Sequence, residues 1–169
     1  MALAVTPASA STAAPKSITV SRGMTVTGFD PAVAAAHGYV IQTGKDGRQH
    51  SVKKGQLSPM GYDEVTGNCG LSYINFNGIG GSAASLATGF QVIAPVASGH
   101  WEVSITDNSG GSNQPWDIGP NNGTWDGYRT LNLTNGGALG TVLPDYSYAV
   151  LDDGTICSSG GPTTTTDIY

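Results

Sequence analysis

Charged side chains are scarce in this sequence. Only 11% of the residues are Asp, Glu, Lys or Arg, against about 25% in an ordinary soluble domain. The 7 lysines and arginines and the formal net charge of −5 argue against a nucleic-acid partner and against docking on an anionic membrane, because both need clustered basic side chains. The surface must therefore be built mainly from Thr, Ser, Asn, Gln and Gly.

Long apolar runs and the common catalytic motifs are also missing. No run approaches the roughly 18 apolar residues that span a bilayer, so we expect no membrane insertion. The three histidines are widely spaced, and neither a His-x-His nor a His-Glu-x-x-His motif occurs, so we expect no zinc site. No Gly-x-Ser-x-Gly elbow is present. We therefore predict no catalytic residue and no tightly bound cofactor, with calcium left open below.

Glycine, by contrast, is abundant. The 25 glycines imply many tight turns, and between them run short segments of alternating apolar and polar residues. In His100 to Thr106, for example, Trp101, Val103 and Ile105 share one face, which is typical of a half-buried strand. We predict a mainly all-β protein, an antiparallel β-sandwich closed by one disulfide and preceded by a small strand-helix-hairpin unit.

The chain has two cysteines, and each lies beside turn residues at the edge of a strand-like run. A catalytic reading of Asn68-Cys69-Gly70 would want a helix after the thiol, and a β-like run follows instead. We predict that Cys69 and Cys157 form a disulfide that fastens the first strand of the β domain to its last; a free structural thiol is the alternative. A disulfide predicts an oxidising, extracellular location.

The sequence suggests five segments. Ala8-Ser9-Ala10 has the small-x-small spacing of a signal-peptidase site. Asp30, Pro31 and Gly38 are suited to the cap, first turn and end of a short helix. The predicted segments are a signal-peptide remnant and disordered leader (1–15), the strand-helix-hairpin unit (16–54), a linker (55–68), the β-sandwich domain (69–157) and an exposed Thr-rich tail (158–169).

All three tryptophans of the chain fall in or beside one predicted polar loop, from Asp107 to Thr124. Aromatic rings can stack on sugars, and amides and carboxylates bind sugar hydroxyls. The same oxygens suit calcium, although the spacing does not match an EF-hand. The alternative is that the tryptophans are core residues and the polar residues only form turns. The candidate binding residues are Trp116 at the loop tip, Asp117, Asn113, Asn121, Trp125 and Asp126.

Several short motifs resemble uncharacterised small exported proteins of actinomycetes. They are Val33-Ala34-Ala35-Ala36-His37-Gly38-Tyr39, Gly67-Asn68-Cys69-Gly70 and the ending Asp152-Asp153-Gly154-Thr155-Ile156-Cys157. The resemblance covers about half of the chain. It implies export and a disulfide, and it carries no activity and no catalytic residue.

From these patterns we expect a secreted, non-catalytic binding or interaction module, with extracellular or cell-wall polysaccharide, or another extracellular protein, as its partner. The first alternative is a structural subunit that self-assembles outside the cell, since Tyr146 and Tyr148 are predicted to share a strand face and an exposed aromatic stripe can drive assembly. The other interpretation of these tyrosines is that they belong to the core of the sandwich. The second alternative is a small secreted hydrolase.

Overall fold

The computed structural model describes residues 17–55 and 68–169, and within these the chain is mainly antiparallel β, as predicted. The predicted leader and most of the predicted linker lie outside the described residues. The elements in chain order are β1 (Thr19–Phe29), α1 (Pro31–Ala36), β2 (Tyr39–Thr43), β3 (Gln49–Lys53), β4 (Gly70–Gly78), β5 (Ala83–Val92), β6 (Val96–Asp107), β7 (Gly110–Ile118), β8 (Thr124–Asn132), β9 (Gly136–Val142), a 3₁₀ helix (Pro144–Tyr146), β10 (Tyr148–Leu151), β11 (Thr155–Ser158) and β12 (Thr163–Ile168).

Two layers of strands face each other. Sheet A runs in the order β1-β4-β5-β8, and sheet B contains β12, β9, β6, β10, β11 and the second half of β1, with β7 paired to β6. The rings of Phe90 in sheet A and Trp101 in sheet B lie 5.4 Å apart between their centroids. The Trp101 indole N–H also donates to the hydroxyl of Thr88 across the layers, at 2.9 Å. The core therefore fills the space between the sheets.

Strand β1 belongs to both layers. Its residues 19–24 pair with β4 in sheet A, and from Thr25 onward it pairs with β11 in sheet B. The register shifts between Val26 and Gly28, a bulge of the kind that bends a strand and increases its twist. Because one strand bridges the layers, the sandwich begins at β1. The sequence-based boundary at residue 69 was wrong for this reason.

The predicted disulfide between Cys69 and Cys157 is present, with the two Cα atoms 5.8 Å apart. Both cysteines are fully buried. Cys69 lies just before β4, and Cys157 lies in β11 opposite Val26 of β1. The bridge thus joins the two sheets beside the crossing of β1. It does not join the first strand to the last, as the sequence had suggested, because β1 and β12 lie outside the loop that it closes.

The short helix and the β2–β3 hairpin form as predicted. The side chain of Asp30 accepts hydrogen bonds from the backbone N–H groups of Ala32 and Val33, at 2.9 and 3.0 Å, which is the usual N-cap arrangement. The unit is held against the β10–β11 turn, where the Ser51 hydroxyl donates to the carbonyl of Asp153 at 2.6 Å. It is therefore an appendage of sheet B.

The Thr-rich segment predicted as an exposed tail is instead strand β12. Residues Thr163–Ile168 pair with β9 in continuous antiparallel register, and Thr164 and Ile168 are buried. Threonine is favoured in strands because its branched side chain packs well on a pleated surface. Composition alone predicts a low-complexity tail, because four identical threonines in a row show no alternation of polarity that would indicate a strand.

Candidate functional site

The structure does not bring the six predicted binding residues together. Asn113 and Asp117 lie on the outer face of sheet B, because they pair with Ser104 and His100 on the solvent side of β6. The remaining four lie elsewhere: Trp116 and Trp125 point between the sheets, Asp126 is on the outer face of sheet A, and Asn121 is in the β7–β8 loop.

The segment around Trp116 is a strand and not the predicted loop. Trp116 is half-buried, and its ring meets that of Trp125 edge-on at 5.9 Å between centroids. The guanidinium carbon of Arg129 lies 4.4 Å from the Trp116 ring centroid. Arg129 is held there by hydrogen bonds to the side chain of Gln114 and the carbonyl of Pro115, at 2.7 and 2.6 Å. These side chains fill the gap between β7 and β8, so we assign Trp116 to the core margin rather than to a loop tip.

Asn121 has a local structural role. Its side-chain oxygen accepts a hydrogen bond from the N–H of Gly123, and its amide donates to the carbonyl of Gly119. Its backbone pairs with Val96. These contacts agree with the alternative given above, in which the polar residues of this segment form turns. The side chain of Asn121 is therefore hydrogen-bonded within its own loop.

The outer face of sheet A carries a more coherent group of side chains, which we call the tyrosine face: Tyr73, Asp126 and Tyr128. Tyr73 on β4, Gly89 on β5 and Asp126 on β8 stand opposite one another in register, so they lie in one row across the sheet. The neighbouring row holds Asn75, Ala87 and Tyr128. Period-two alternation puts all of these side chains on the side away from the core.

The ring of Tyr73 lies along the sheet. Its hydroxyl donates to the carboxylate of Asp126 at 2.5 Å, although β5 separates the two strands by about 9–10 Å. The ring must therefore cross over Gly89, and a Cβ built on Gly89 would lie 3.0 Å from Tyr73 Cε1. Burial, and then the hydrogen bond to Asp126, raise the pKa of Tyr73 above its usual value. Tyrosine is protonated at neutral pH in any case, and the raised pKa extends the range in which this hydroxyl donates to more alkaline pH.

The surroundings of this ring are open and polar. Tyr128 is 69% exposed and Leu71 is 47% exposed. The rows on either side carry the exposed side chains of Gln91, Thr124 and Thr130. The face therefore combines aromatic rings with amide, hydroxyl and carboxylate groups, on a rigid support of paired strands.

Part of this face was visible in the sequence. The period-two alternation from Tyr128 to Leu133 predicts a strand with Tyr128 and Leu131 on opposite faces, and the structure places Tyr128 outward and Leu131 inward. The strand containing Tyr73 was also predicted. The pairing of β4, β5 and β8 was not, because sequence patterns do not specify which strands are neighbours. Unless β4, β5 and β8 are known to be neighbours, nothing in the sequence indicates that Tyr73 and Asp126 lie in one row.

The three histidines each lie near a carboxylate. His100 Nδ1 is 3.0 Å from Asp117 Oδ1, whereas His37 and His50 are 3.7 and 3.9 Å from Asp152 and Asp46. Among the contacts within residues 17–55 and 68–169, the histidine rings lie beside carboxylates and none is hydrogen-bonded to a serine hydroxyl.

Comparison with protein-family models, with curated proteins and with solved structures gives no match to this chain.

Residues 17–55 and 68–169 contain no group of three or more His, Cys, Asp or Glu side chains arranged to hold a metal ion. None of their helices is both long enough and apolar enough to cross a membrane. Asp107, at the start of the predicted loop, accepts hydrogen bonds from Thr134, Ser109 and Gly110, which lower its pKa to about 2.

Proposed function

We propose that this protein is a secreted, non-catalytic module that binds extracellular or cell-wall polysaccharide through the tyrosine face. The observation that carries the proposal is the ring of Tyr73, which lies along sheet A over Gly89 and is fixed by Asp126. An aromatic side chain fixed across an open sheet surface can contact the C–H face of a sugar, and the fixed geometry lowers the entropy cost of binding.

The groups around the ring suit the hydroxyls of a sugar. Gln91 and Thr124 lie in the adjoining row and are exposed. Asp126 accepts one hydrogen bond from Tyr73, and a carboxylate has further lone pairs for hydroxyl donors. The position of the site on an open sheet face, rather than in a cleft, favours an extended polysaccharide chain over a free monosaccharide.

Secretion is supported by the buried disulfide between Cys69 and Cys157. Disulfides form and persist in oxidising compartments and are rare in the cytosol. The Ala8-Ser9-Ala10 spacing typical of a signal-peptidase site points the same way.

The test is co-sedimentation with insoluble cellulose, chitin and purified bacterial cell wall. The Tyr128→Ala variant removes an exposed ring from the tyrosine face, and we expect about a three- to tenfold loss of affinity for the polysaccharide that retains the unmodified protein. The matched control is Tyr146→Ala, because Tyr146 is also exposed (56%) but lies in the 3₁₀ helix, off this face. Its affinity should be unchanged. Equal effects of the two variants, or no retention on any of the three materials, would contradict the proposal.

A self-assembling subunit is the second candidate, because the same exposed Leu71 and Tyr128 are able to contact another copy. The stripe of Tyr146 and Tyr148 that first suggested assembly does not form, since Tyr146 lies in the 3₁₀ helix before β10. Sedimentation velocity at increasing concentration separates the two functions. A polysaccharide-binding module stays monomeric, and a subunit forms ordered oligomers that Tyr128→Ala disrupts.

A further inference from the structure

The outer face of sheet A carries almost no charge. Strands β1, β4, β5 and β8 lie side by side in continuous register, and the tyrosine face is at the centre of the surface that they form. Among residues 17–55 and 68–169, the only charged side chain on this surface is that of Asp126. The side chains around the tyrosine face include the amides and hydroxyls of Asn75, Asn77, Gln91, Ser85, Thr124 and Thr130.

The basic side chains of the described residues lie elsewhere. Arg22 and Arg129 belong to β1 and β8, but period-two alternation puts them on the inner side of sheet A, where Arg129 binds Gln114 and Pro115 of β7. The other described lysines and arginines lie in or beside the β2–β3 hairpin, which is held against the β10–β11 turn. An acidic polymer on the tyrosine face would therefore meet no lysine or arginine of the described residues.

The amides beside the rings are oriented by their own hydrogen bonds. The side-chain amide of Asn77 donates to the side-chain oxygen of Asn75, and the Asn75 amide donates to Thr19 Oγ1 at 2.8 Å. Asn75 is also the next outward residue after Tyr73 on β4. Amides and hydroxyls both donate and accept hydrogen bonds, as sugar hydroxyls do. A neutral sugar chain therefore meets complementary groups at fixed positions around the rings.

Asp126 determines which polar groups this surface accepts. Its Oδ1 accepts the hydrogen bond from the Tyr73 hydroxyl, and no described residue donates to its Oδ2. A sugar hydroxyl that approaches Oδ2 donates to it, because an ionised carboxylate only accepts hydrogen bonds. A carboxylate of an acidic polymer would instead bring a second acceptor and a like charge. Two such groups repel each other, and removing them from water without a cation costs free energy.

We propose that the tyrosine face binds uncharged polysaccharides and excludes acidic ones, with Asp126 as the residue that discriminates between them. This inference rests on the proposed function and narrows it, because it names the class of polymer. A chain with a carboxylate on each sugar places several negative charges along this surface. A neutral chain places only hydroxyls there, and the amides and hydroxyls of the surface bind them.

The test compares two soluble derivatives of cellulose or chitin, whichever retains the protein: the hydroxyethyl form, which is neutral, and the carboxymethyl form, which is acidic. Their substituents are of similar size, so charge is the main difference. By isothermal titration calorimetry at low ionic strength, the affinity for the neutral form should be about three- to tenfold higher, and added salt should narrow the difference. Equal affinities, or tighter binding of the acidic form, would overturn the inference and leave polysaccharide binding in place.

Where bacterial cell wall is the material that retains the protein, the comparison is made between the wall before and after extraction of its anionic polymers. Retention should persist on the extracted wall, and its loss would overturn the inference. Failure to bind any of the polymers or either wall preparation would instead contradict the proposed function.

An isosteric variant tests the role of Asp126. In Asp126→Asn the amide oxygen can still accept the hydrogen bond from Tyr73, and the ratio of the neutral-form affinity to the acidic-form affinity should fall about two- to fivefold. The matched control is Asp117→Asn, which makes the same charge change at an exposed position on the outer face of sheet B. It should leave the ratio unchanged. An equal fall in both variants would assign the effect to net charge, and no fall in Asp126→Asn would remove this residue from the discrimination; either result overturns the assignment.

Discussion

At the scale of the residue, the tyrosine face depends on the missing side chain of Gly89. The ring of Tyr73 occupies the space above this glycine, and Gly89 also packs tightly against the next strand. In a typical strand, glycine is unfavourable because it adds no packing and loses more entropy on folding. Here an aromatic side chain from the neighbouring strand covers it.

The first prediction concerns this glycine. In Gly89→Ala the new Cβ would lie 2.1 Å from the backbone carbonyl oxygen of Trp125 and 3.0 Å from Asp126 Oδ1. Because backbone cannot move aside as a flexible side chain does, we expect a loss of about 1–3 kcal/mol in the free energy of unfolding. Urea denaturation measures it.

The matched control is Gly137→Ala, another strand glycine. Nothing lies within 4 Å of a Cβ built there, so its stability should be unchanged or slightly higher. An equal change in the free energy of unfolding for Gly89→Ala and Gly137→Ala would show that the close contacts around Gly89 do not determine the cost of an added Cβ.

At the scale of the element, composition predicts a loop and a tail for two segments that are strands in the structure, β7 and β12. Strand β7 contains Pro115 and many polar residues, which indicated a loop. It is an edge strand paired with β6 among the described residues, and proline is tolerated at an edge where its missing N–H faces away from the ladder. Strand β12 is mostly threonine and pairs with β9. Both are polar because edge strands meet solvent on more than one side.

The second prediction follows from β12. A chain that ends at Pro162 lacks the buried side chains of Thr164 and Ile168 and the hydrogen bond from the N–H of Gly78 to Thr166 Oγ1. We expect a loss of about 2–4 kcal/mol in the free energy of unfolding. Thermal and urea denaturation both report it.

The control keeps the strand and changes only an outward residue. Thr165 is exposed, so Thr165→Ala should change stability by less than about 0.5 kcal/mol. A truncated chain as stable as the full one would show that the segment is a dispensable tail, as its composition had suggested.

At the scale of the whole molecule, β1 and the disulfide join the two sheets at the same place. β1 passes from sheet A to sheet B at Thr25, and Cys157 pairs with its next residue, Val26. The disulfide spans 88 residues of sequence. On the chain-entropy model such a loop contributes about 4–5 kcal/mol, as an upper estimate.

The third prediction is that the Cys69→Ser/Cys157→Ser double variant loses up to about 4–5 kcal/mol of stability. Both cysteines are fully buried, so reductant should act slowly on the native protein and rapidly in denaturant. After reduction in urea, the unmodified protein should match the double variant. Equal stability of the oxidised protein and the double variant would show that the disulfide does not stabilise the fold.

The sequence by itself determined the class of this protein. Turn-forming glycines and period-two segments such as Trp101 to Ile105 predicted a β-sandwich, and the two cysteines predicted its disulfide, because these signals are local or have a single possible partner. Only the tertiary structure decided which strands are neighbours in the sheets and which side chains meet. It placed β8 beside β5, laid Tyr73 over Gly89 towards Asp126, and put Trp116 under Arg129. Strand order arises from packing between residues far apart in the chain, and no local pattern encodes it.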